Sequence, residues 1–441
     1  MSTADTIFAL SSGGLPSGVA VIRLSGPASA QALQSLCGHL PQQRRASLQT
    51  IRNRNGEKLD EGIVLFFPGP NSFTGEDCAE LQIHGGRATV KAVLATLDGM
   101  EGLRAADAGE FSRRAFLNGR MDLVEVEGLA DLISAETEMQ RRLAAEQASG
   151  GLSRLYDSWA KRLTHARAMI EAELDFADED DVPGSVASQI WHDMQKLDQE
   201  ILNHLAEARA GEIVRDGLKV VIVGPPNAGK SSLLNYLAKR DVAIVTDVPG
   251  TTRDVLHVDL DLAGFAVRLY DTAGLRETDD IVEREGIRRT QLSMAQAHLL
   301  LLLSADENPD WSAFTEDYAG PVVRVWTKAD SRDASWPKPE ADVIISVRTG
   351  EGIPELLHRL GRHLPDLDTS NALALPTRQR HALNLAAARE HIQLALSVPA
   401  PGLDIQAEYL RLAGQALGRV TGRVDVENLL DVIFSEFCIG K

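Results

Sequence analysis

With 441 residues, 44% of them hydrophobic and 24% charged, the chain is too long for one ordinary core and has the composition of a globular protein of two to four domains. Its net charge of −18 argues against binding nucleic acid through overall electrostatics, although a local basic face stays compatible with it. Three cysteines without a CxxC pair provide neither a disulfide framework nor a zinc site, which predicts a cytoplasmic protein. No run approaches the roughly 20 apolar residues of a membrane span, so we expect no membrane anchor.

Four regions of different composition follow one another along the chain. Residues 1–120 mix short apolar runs with Gly and Pro turns, which predicts a small α/β domain. Residues 121–215 are periodic in Ala, Leu, Glu and Arg and are typical of amphipathic helices. Residues 216–368 alternate strand and helix patterns, and residues 369–441 return to the helical pattern. The expected fold is therefore a multidomain α/β plus all-α chain, in which an α/β domain with a mostly parallel sheet is inserted into a discontinuous helical domain.

Three charged segments fit either a ligand site or a solvated surface. Residues 104–120 and 378–389 are basic, and solvated helix faces account for both better than a nucleic-acid site does. Residues 171–184 are acidic, and a solvated loop between helices accounts for them better than a metal site does.

The most specific motif is a phosphate-binding loop in LKVVIVGPPNAGKSSLLNYLAKR, where Gly224, Gly229, Lys230 and Ser231 match G-x-x-x-x-G-K-[ST]. An apolar strand precedes it and an amphipathic helix follows, so its backbone N–H groups can close around phosphate oxygens. Lys230 supplies charge to the β- and γ-phosphates, and the Ser231 hydroxyl ligates Mg²⁺. The expected contacts of this loop with the nucleotide also include Asn227, Ala228 and Ser232.

Three further elements follow in the order found in GTPases. The segment DVAIVTDVPGTTRD offers Thr251 or Thr252 to the metal and the γ-phosphate, and RLYDTAG ends in D-x-x-G with Asp271 and Gly274. In VVRVWTKAD, Asp330 can accept hydrogen bonds from guanine N1–H and N2–H, a pattern that adenine cannot offer. The sequence therefore predicts a GTPase, with these further nucleotide contacts: Thr246, Asp247, Val248, Pro249, Gly250, Thr251, Thr252, Asp271, Thr272, Ala273, Gly274, Thr327, Lys328, Ala329, Asp330, Ser346, Val347 and Arg348.

The motifs depart from the usual GTPase pattern in three places. Thr327 replaces the asparagine of N-K-x-D, and Val347 and Arg348 follow Ser346 where S-A is usual, so we expect modest nucleotide affinity. Leu275 stands where small GTPases place the glutamine that orients water. Another device must supply that positioning and the positive charge of an arginine finger. Asn227, with backbone carbonyls of TDVPGT, could hold a monovalent cation for this purpose.

These motifs and both ends of the chain resemble the MnmE (TrmE) family of bacterial tRNA modification GTPases, one of the TrmE-Era-EngA-like GTPases. The resemblance covers the whole chain and rests on DTIFALSSGGLPSGVAVIRLSGP, GEFSRRAFLNGRMDLVEVEGLADLI, DTAGLRETDDIVEREGI and FCIGK. It implies a Ras-like P-loop GTPase domain that is stimulated by K⁺ and dimerises across the nucleotides. In the positions that match the family, the K⁺ ligands are Asn227, Thr246, Val248 and Thr251, the Mg²⁺ ligands are Ser231 and Thr252, and Glu283 orients water.

The resemblance also implies a second site in the N-terminal domain, which would bind 5-formyl- or methylene-tetrahydrofolate and form a homodimer. The matching folate contacts are Arg23, Glu80, Arg120 and Lys441. Arg120 stands where lysine is common in the family, so the charge is kept although the geometry can shift. Cys438 is either a nucleophile or an inert buried thiol, and both interpretations stay open.

The implied reaction adds an aminomethyl or carboxymethylaminomethyl group to C5 of the wobble uridine (U34) of certain tRNAs. It needs an FAD-dependent partner, MnmG, in a heterotetramer or larger complex that also uses NADH, while GTP hydrolysis drives conformational change. The alternative from another class is a ribosome- or RNA-assembly GTPase whose flanking domains only recruit a partner. A purely structural helical scaffold conflicts with the intact phosphate loop.

Overall fold

The structure is a computed structural model that describes residues 5–175, 185–240, 242–244, 257–271, 295–306, 309–312, 315, 318–331, 340–367, 374–397, 402–424, 430, 433–435, 437 and 439–440. The chain forms two compact units. The first comprises Met1–Ala130, Tyr156–Lys161 and Arg411–Lys441, and the second comprises Asp131–Leu155 and Arg162–Leu410.

Strands and helices alternate in residues 6–105 and again in residues 218–361, and the described elements between and after these two stretches are helices. The described strands are β1 (Thr6–Leu10), β2 (Ser17–Ser25), β3 (Ser47–Arg52), β4 (Lys58–Phe67), β5 (Cys78–Gly85), β6 (Leu103–Ala105), β7 (Leu218–Val223), β8 (His257–Leu262), β9 (Phe265–Asp271), β10 (Leu299–Ser304), β11 (Val322–Trp326) and β12 (Val343–Ile344). The described helices are α1 (Ser29–Cys37), α2 (Arg87–Asp98), α3 (Glu110–Leu117), α4 (Leu123–Ser134), α5 (Glu138–Ala148), α6 (Gly151–Asp175), α7 (Ser185–Ala206), α8 (Ala208–Asp216), α9 (Lys230–Leu237), α10 (Ile353–Gly361), α11 (Gln379–Ala395) and α12 (Leu403–Thr421).

The first unit contains a six-stranded sheet in the order β3-β4-β5-β2-β1-β6. Neighbouring strands are antiparallel except β1 and β6, which run parallel. Alternate residues of β5, namely Ala79, Leu81 and Ile83, face the core, as the period of two residues in a strand requires. Helices α1 and α2 place their apolar faces in the same core, so both cover one side of the sheet.

The C-terminal segment returns to this first unit. Leu430, Phe434 and Phe437 share a buried apolar cluster with Leu123 and Val126 of α4. A Cβ on Gly109, which has a φ of 65°, would overlap the carbonyl oxygen of Phe434, so the close approach requires glycine at this position. Residues that are some 300 positions apart in sequence therefore pack together.

The second unit contains a six-stranded sheet in the order β12-β11-β10-β7-β9-β8. All its neighbours are parallel except β8 and β9, which form an antiparallel hairpin. The continuous apolar runs of β7 and β10 are buried along their length, as expected for central parallel strands. The expected inserted α/β domain with a mostly parallel sheet is confirmed, while the boundaries at residues 120, 215 and 368 stay predictions.

Helices of the second unit flank this sheet in sequence. Helix α5 begins with a capping box, in which Thr137 and Gln140 satisfy each other's backbone N–H groups. Arg162 of α6 bonds Asp193 at 2.7 Å and Glu200 at 2.7 Å, which ties α6 to α7. Among the described helices, none combines the length and the apolar character that crossing a membrane would demand.

A buried histidine of α7 makes the stability of the second unit depend on pH. Burial, together with the nearby His381, lowers the pKa of His204 to about 4 from 6.5. The unfolded chain therefore binds a proton in the window between these values and the folded chain does not, so stability is lost as pH falls through it. From pH 7 to pH 5 we expect the free energy of unfolding to drop by about 2 kcal/mol through this residue.

The measurement is the urea midpoint of unfolding as a function of pH. His204→Gln should flatten this dependence, whereas His165→Gln, at an exposed position of α6, should leave it as it is in the wild type. If His204→Gln retained the full slope, the loss of stability at low pH would have to come from other groups.

Candidate functional site

The phosphate-binding loop lies where the central strand β7 ends and α9 begins. A Cβ on Gly224 would overlap the carbonyl oxygen of Leu303 at the end of β10, so the loop passes too close to that strand for any side chain. Gly229 has a φ of 92° and forms the N-cap of α9. The exposed Asn227 also has a positive φ, 63°. The backbone is thereby bent so that the first turn of α9 faces the loop interior, which is the arrangement that binds phosphate oxygens.

Lys230 and Ser231 lie at the start of α9 and point into this loop. The Lys230 Nζ donates to the carbonyl oxygens of Gly224 at 2.7 Å and Pro225 at 2.9 Å, and the residue is 8% exposed. The Ser231 hydroxyl donates to Oδ2 of Asp271, at the end of β9, at 2.8 Å. A hydroxyl and a carboxylate oxygen at this separation are hard ligands of the kind that Mg²⁺ prefers, so these residues fit the metal.

Thr327 links the predicted base-binding side of the site to the phosphate loop. Its hydroxyl donates to the carbonyl oxygen of Ala228 at 2.7 Å and also lies 3.3 Å from that of Ser304. The side chain is 1% exposed, so these bonds are shielded from water. Sequence reasoning treated Thr327 only as a weakened asparagine and missed this link. The sequence did contain a signal for it, since threonine at the position directly after β11 carries a hydroxyl that can donate a hydrogen bond.

Asp330 follows β11 on a short 3₁₀ turn, Ala329–Ser331, after Lys328 with a φ of 59°. Its Oδ1 accepts a hydrogen bond from the buried Ser346 hydroxyl at 2.6 Å, and its Oδ2 lies 2.7 Å from Nε of Arg348. The Ser346 hydrogen bond, with a smaller contribution from Arg348, lowers the pKa of the Asp330 carboxyl below its ordinary value. The carboxylate is therefore charged at neutral pH and oriented for planar N–H donors.

Asp330→Asn is expected to change which purine the site prefers. The substitution replaces one acceptor oxygen by an N–H donor, which opposes guanine N2–H and suits the C2 carbonyl of xanthine. We expect GDP affinity to fall at least about tenfold and xanthosine diphosphate affinity to rise, because the new N–H donor would face an N–H donor of guanine and a carbonyl acceptor of xanthine. Calorimetric titration with both nucleotides measures this, and a retained preference for GDP would count against Asp330 as the base reader.

In the first unit, Arg23 and Glu80 face each other across neighbouring strands. They are in register on β2 and β5, with Arg23 Nη2 3.0 Å from Glu80 Oε1. The Arg23 guanidinium lies 5.1 Å from the ring centre of Phe73 and 5.9 Å from that of Phe111. The pair therefore presents charge beside aromatic surface, which suits a flat heterocycle with polar edges.

The C-terminal segment reaches the same sheet. Ile439 forms a bridge with Ala108, and the carbonyl oxygen of Gly440 accepts a hydrogen bond from the Ser11 hydroxyl at 2.7 Å. Ser11 directly follows β1, whose Ala9 is in register with Arg23. Arg120 is exposed and lies beside the loop after β4, where a Cβ on Gly75 would be 3.3 Å from its Cγ.

Several predicted site residues lie outside the described part of the chain. They belong to the two switch-like segments and to the C-terminal motif: Thr246, Asp247, Val248, Pro249, Gly250, Thr251, Thr252, Thr272, Ala273, Gly274, Glu283, Cys438 and Lys441. Their roles stay predictions.

Several arginines of the two basic segments form ion pairs with carboxylates. Arg114, 6% exposed, bonds Asp5, Glu76 and Glu110, and Arg104 bonds Asp5 and Glu110. Burial opposes the charge of Glu110, yet hydrogen bonds from Arg104 and other donors lower the pKa of its carboxyl. In the second segment, Arg378 and Arg389 pair with acidic residues of the same unit, at 2.8 and 3.0 Å. These ion pairs favour a structural role for the four arginines that make them.

Comparison with known proteins agrees with this arrangement. Residues 123–438 match the family model of the MnmE helical domain, and residues 6–120 match that of the N-terminus of the GTP-binding protein TrmE. The chain is 64% identical to the tRNA modification GTPases MnmE of Sinorhizobium medicae and Rhizobium meliloti, with 100% of both chains covered in each case. It is 53% identical to the protein of that name from Brucella abortus, over 99% of this chain and 98% of the relative. The phosphate loop, the two flanking regions and this full-length similarity agree, and the chain belongs to the MnmE family of tRNA modification GTPases.

Proposed function

We propose that the protein hydrolyses GTP and that this activity serves tRNA modification. The observation that carries the proposal is the phosphate loop between β7 and α9, with Ser231 bonded to Asp271 at 2.8 Å. Asp330 lies at the far side of the same sheet edge, tied to the loop through Thr327. The full-length relatives that bear the name tRNA modification GTPase support the tRNA role.

Each described residue has a separate part in this proposed hydrolysis. Lys230 neutralises charge on the β- and γ-phosphates, and it is already confined by two carbonyl oxygens of the loop. Asp271 orients the Ser231 hydroxyl as a magnesium ligand. The second proposed magnesium ligand is Thr252, which lies outside the described residues. When bound, Mg²⁺ supplies charge that stabilises the developing negative charge on the phosphates. Asp330 selects guanine.

We further propose that K⁺ replaces the arginine finger, with Asn227, Thr246, Val248 and Thr251 as its ligands and Glu283 orienting water. Asn227 lies on the phosphate loop and is exposed, so a cation can reach its side chain. Two copies of the GTPase domain would enclose the cation and exclude water. This accounts for the absence of a glutamine at Leu275.

GTP turnover is expected to be several-fold or more faster in KCl than in NaCl at equal ionic strength. The physical reason is that a cavity of carbonyl and amide oxygens sized for K⁺ binds the smaller Na⁺ less well. Steady-state phosphate release in the two salts measures it. Asn227→Ala should remove the difference, whereas Ser397→Ala, exposed and remote in sequence, should keep it. Equal turnover rates of the wild type in both salts would contradict the proposal that K⁺ replaces the arginine finger.

The N-terminal domain is proposed to bind 5-formyl- or methylene-tetrahydrofolate through Arg23, Glu80, Arg120 and Lys441, and to form a homodimer. The Arg23–Glu80 pair beside Phe73 supports a pterin site, since a carboxylate suits the donor edge of the ring. The docked residues Ile439 and Gly440 support the participation of the C-terminal motif. The role of Cys438 stays open between nucleophile and packed thiol.

The proposed reaction adds an aminomethyl or carboxymethylaminomethyl group to C5 of U34. It takes place with the partner MnmG, which would contribute FAD and NADH, and GTP hydrolysis drives the conformational cycle. Nucleoside analysis of tRNA from a cell that lacks this protein tests the proposal. Loss of the C5 modification, restored by the wild-type chain and not by Lys230→Ala, is expected. A normal nucleoside profile would contradict the proposed role in tRNA modification and favour the alternative, a ribosome- or RNA-assembly GTPase.

A further inference from the structure

Arg348 occupies a defined place beside the base-reading carboxylate. The turn that carries it is closed on itself, with the Ser346 carbonyl oxygen bonded to the N–H of Gly350 at 2.8 Å and the Ser346 hydroxyl 3.2 Å from the N–H of Thr349. Gly350 and Gly352 have φ values of 80° and 73°, so the chain leaves the turn through two left-handed residues before the next helix begins. The Arg348 backbone is thereby held next to Asp330.

The two members of this ion pair differ in exposure. The Asp330 side chain is 15% exposed and the Arg348 side chain is 75% exposed, with Nε 2.7 Å from Oδ2. Few packing contacts can hold a side chain that is so exposed, so the carboxylate is the main attachment of the guanidinium. An ion pair of this kind is weak and easily exchanged for another donor.

A guanidinium and the N1–H/N2–H edge of guanine donate hydrogen bonds to a carboxylate in the same geometry. Each is planar and carries neighbouring N–H donors, and Asp330 is the acceptor for both. The second oxygen, Oδ1, is held by Ser346, which donates at 2.6 Å and fixes the plane of the carboxylate. Arg348 therefore donates to an oxygen that the base also needs.

We propose that Arg348 is an intramolecular competitor of guanine for Asp330, and that guanine nucleotides bind by displacing it. The inference rests on the proposed guanine-reading role of Asp330. The arginine lowers the affinity for every guanine nucleotide, because each of them has to displace it from Asp330. It also neutralises the carboxylate whenever the base has left.

The test compares GDP binding to the full chain by calorimetry for the wild type, Arg348→Met and Arg348→Lys. Arg348→Met keeps an apolar stem without charge, so GDP should bind about two- to fivefold tighter, the range expected for loss of an exposed ion pair. Arg348→Lys should lie between Arg348→Met and the wild type. The gain should shrink in about 1 M salt, because an exposed pair is screened. Arg362→Met, an exposed arginine after α10, is the matched control and should leave GDP affinity unchanged.

A double-mutant cycle separates this inference from the proposed function. In the Asp330→Asn background, Arg348→Met should have no effect on binding of xanthosine diphosphate, because the charge it pairs with is gone. Suppose that Asp330→Asn changes the base preference while Arg348→Met binds GDP no tighter than the wild type. The proposed competition by Arg348 is then overturned, and the base-reading role of Asp330 is retained. If Asp330→Asn keeps its preference for GDP, the base-reading role of Asp330 is wrong, and the proposed competition by Arg348, which depends on it, is wrong as well.

Discussion

Gly224→Ala is expected to lower the affinity for GDP at least about a hundredfold. The new Cβ would overlap the carbonyl oxygen of Leu303, which belongs to the central strand β10 and cannot withdraw without breaking its pairing with β11. The phosphate loop would have to move instead. Its N–H groups and Lys230 would then no longer converge on the phosphates, and misplacement of about 1 Å already costs large factors in such sites.

The matched control is Gly361→Ala at the end of α10. No atom lies within 4 Å of the Cβ that it would introduce, and alanine favours helix over glycine. GDP affinity should stay within about twofold of the wild type, and the melting temperature should stay equal or rise. Binding of GDP by Gly224→Ala at wild-type affinity would show that the loop can relax, contrary to the close packing on β10.

Gly440→Ala is expected to release the C-terminal segment from the first sheet and to cut C5 modification of U34 at least about tenfold in a complementation assay. The φ of Gly440 is 98°, and a Cβ would overlap the carbonyl oxygen of Leu10 at the end of β1. Relief requires the segment to move away, which breaks the bond from the Ser11 hydroxyl. Lys441, as a proposed folate contact, would be displaced with it.

GDP binding should be unaffected by Gly440→Ala, since the nucleotide site belongs to the other unit. Gly414→Ala, in the helix α12 with no atom within 4 Å of its new Cβ, controls for the substitution itself and should support normal modification. Full modification by Gly440→Ala would mean that the docked segment has no part in the reaction.

The phosphate loop was predictable because its chemistry is local. Gly224, Gly229, Lys230 and Ser231 are within eight residues, and the flanking strand and helix could be identified from periodicity. The order of the remaining GTPase elements identified Asp271 and Asp330 in the same manner. The parallel sheet followed from the alternation of strand and helix patterns.

Contacts between residues distant in sequence could not be derived from spacing. The hydroxyl of Thr327 bonds Ala228 across 99 positions, and only the parallel arrangement of β7, β10 and β11 brings them together. The Arg114 ion pairs have the same origin, since Asp5 is 109 positions away. The sequence of this segment is basic when read alone, whereas in the folded chain Arg104 and Arg114 are paired with carboxylates. The Arg348–Asp330 pair likewise depends on how two loops meet at the ends of β11 and β12.

The packing of Leu430, Phe434 and Phe437 against α4 has a consequence for synthesis. The ribosome makes a chain from its N-terminus at about 5 to 20 residues per second, so the roughly 300 residues between Val126 and Leu430 take about 15 to 60 s. During that interval Leu123 and Val126 lack the side chains that bury them in the finished protein. An unfinished chain thus displays an apolar patch that chaperones and proteases can recognise, and the patch disappears only when the C-terminal segment has been made and has docked.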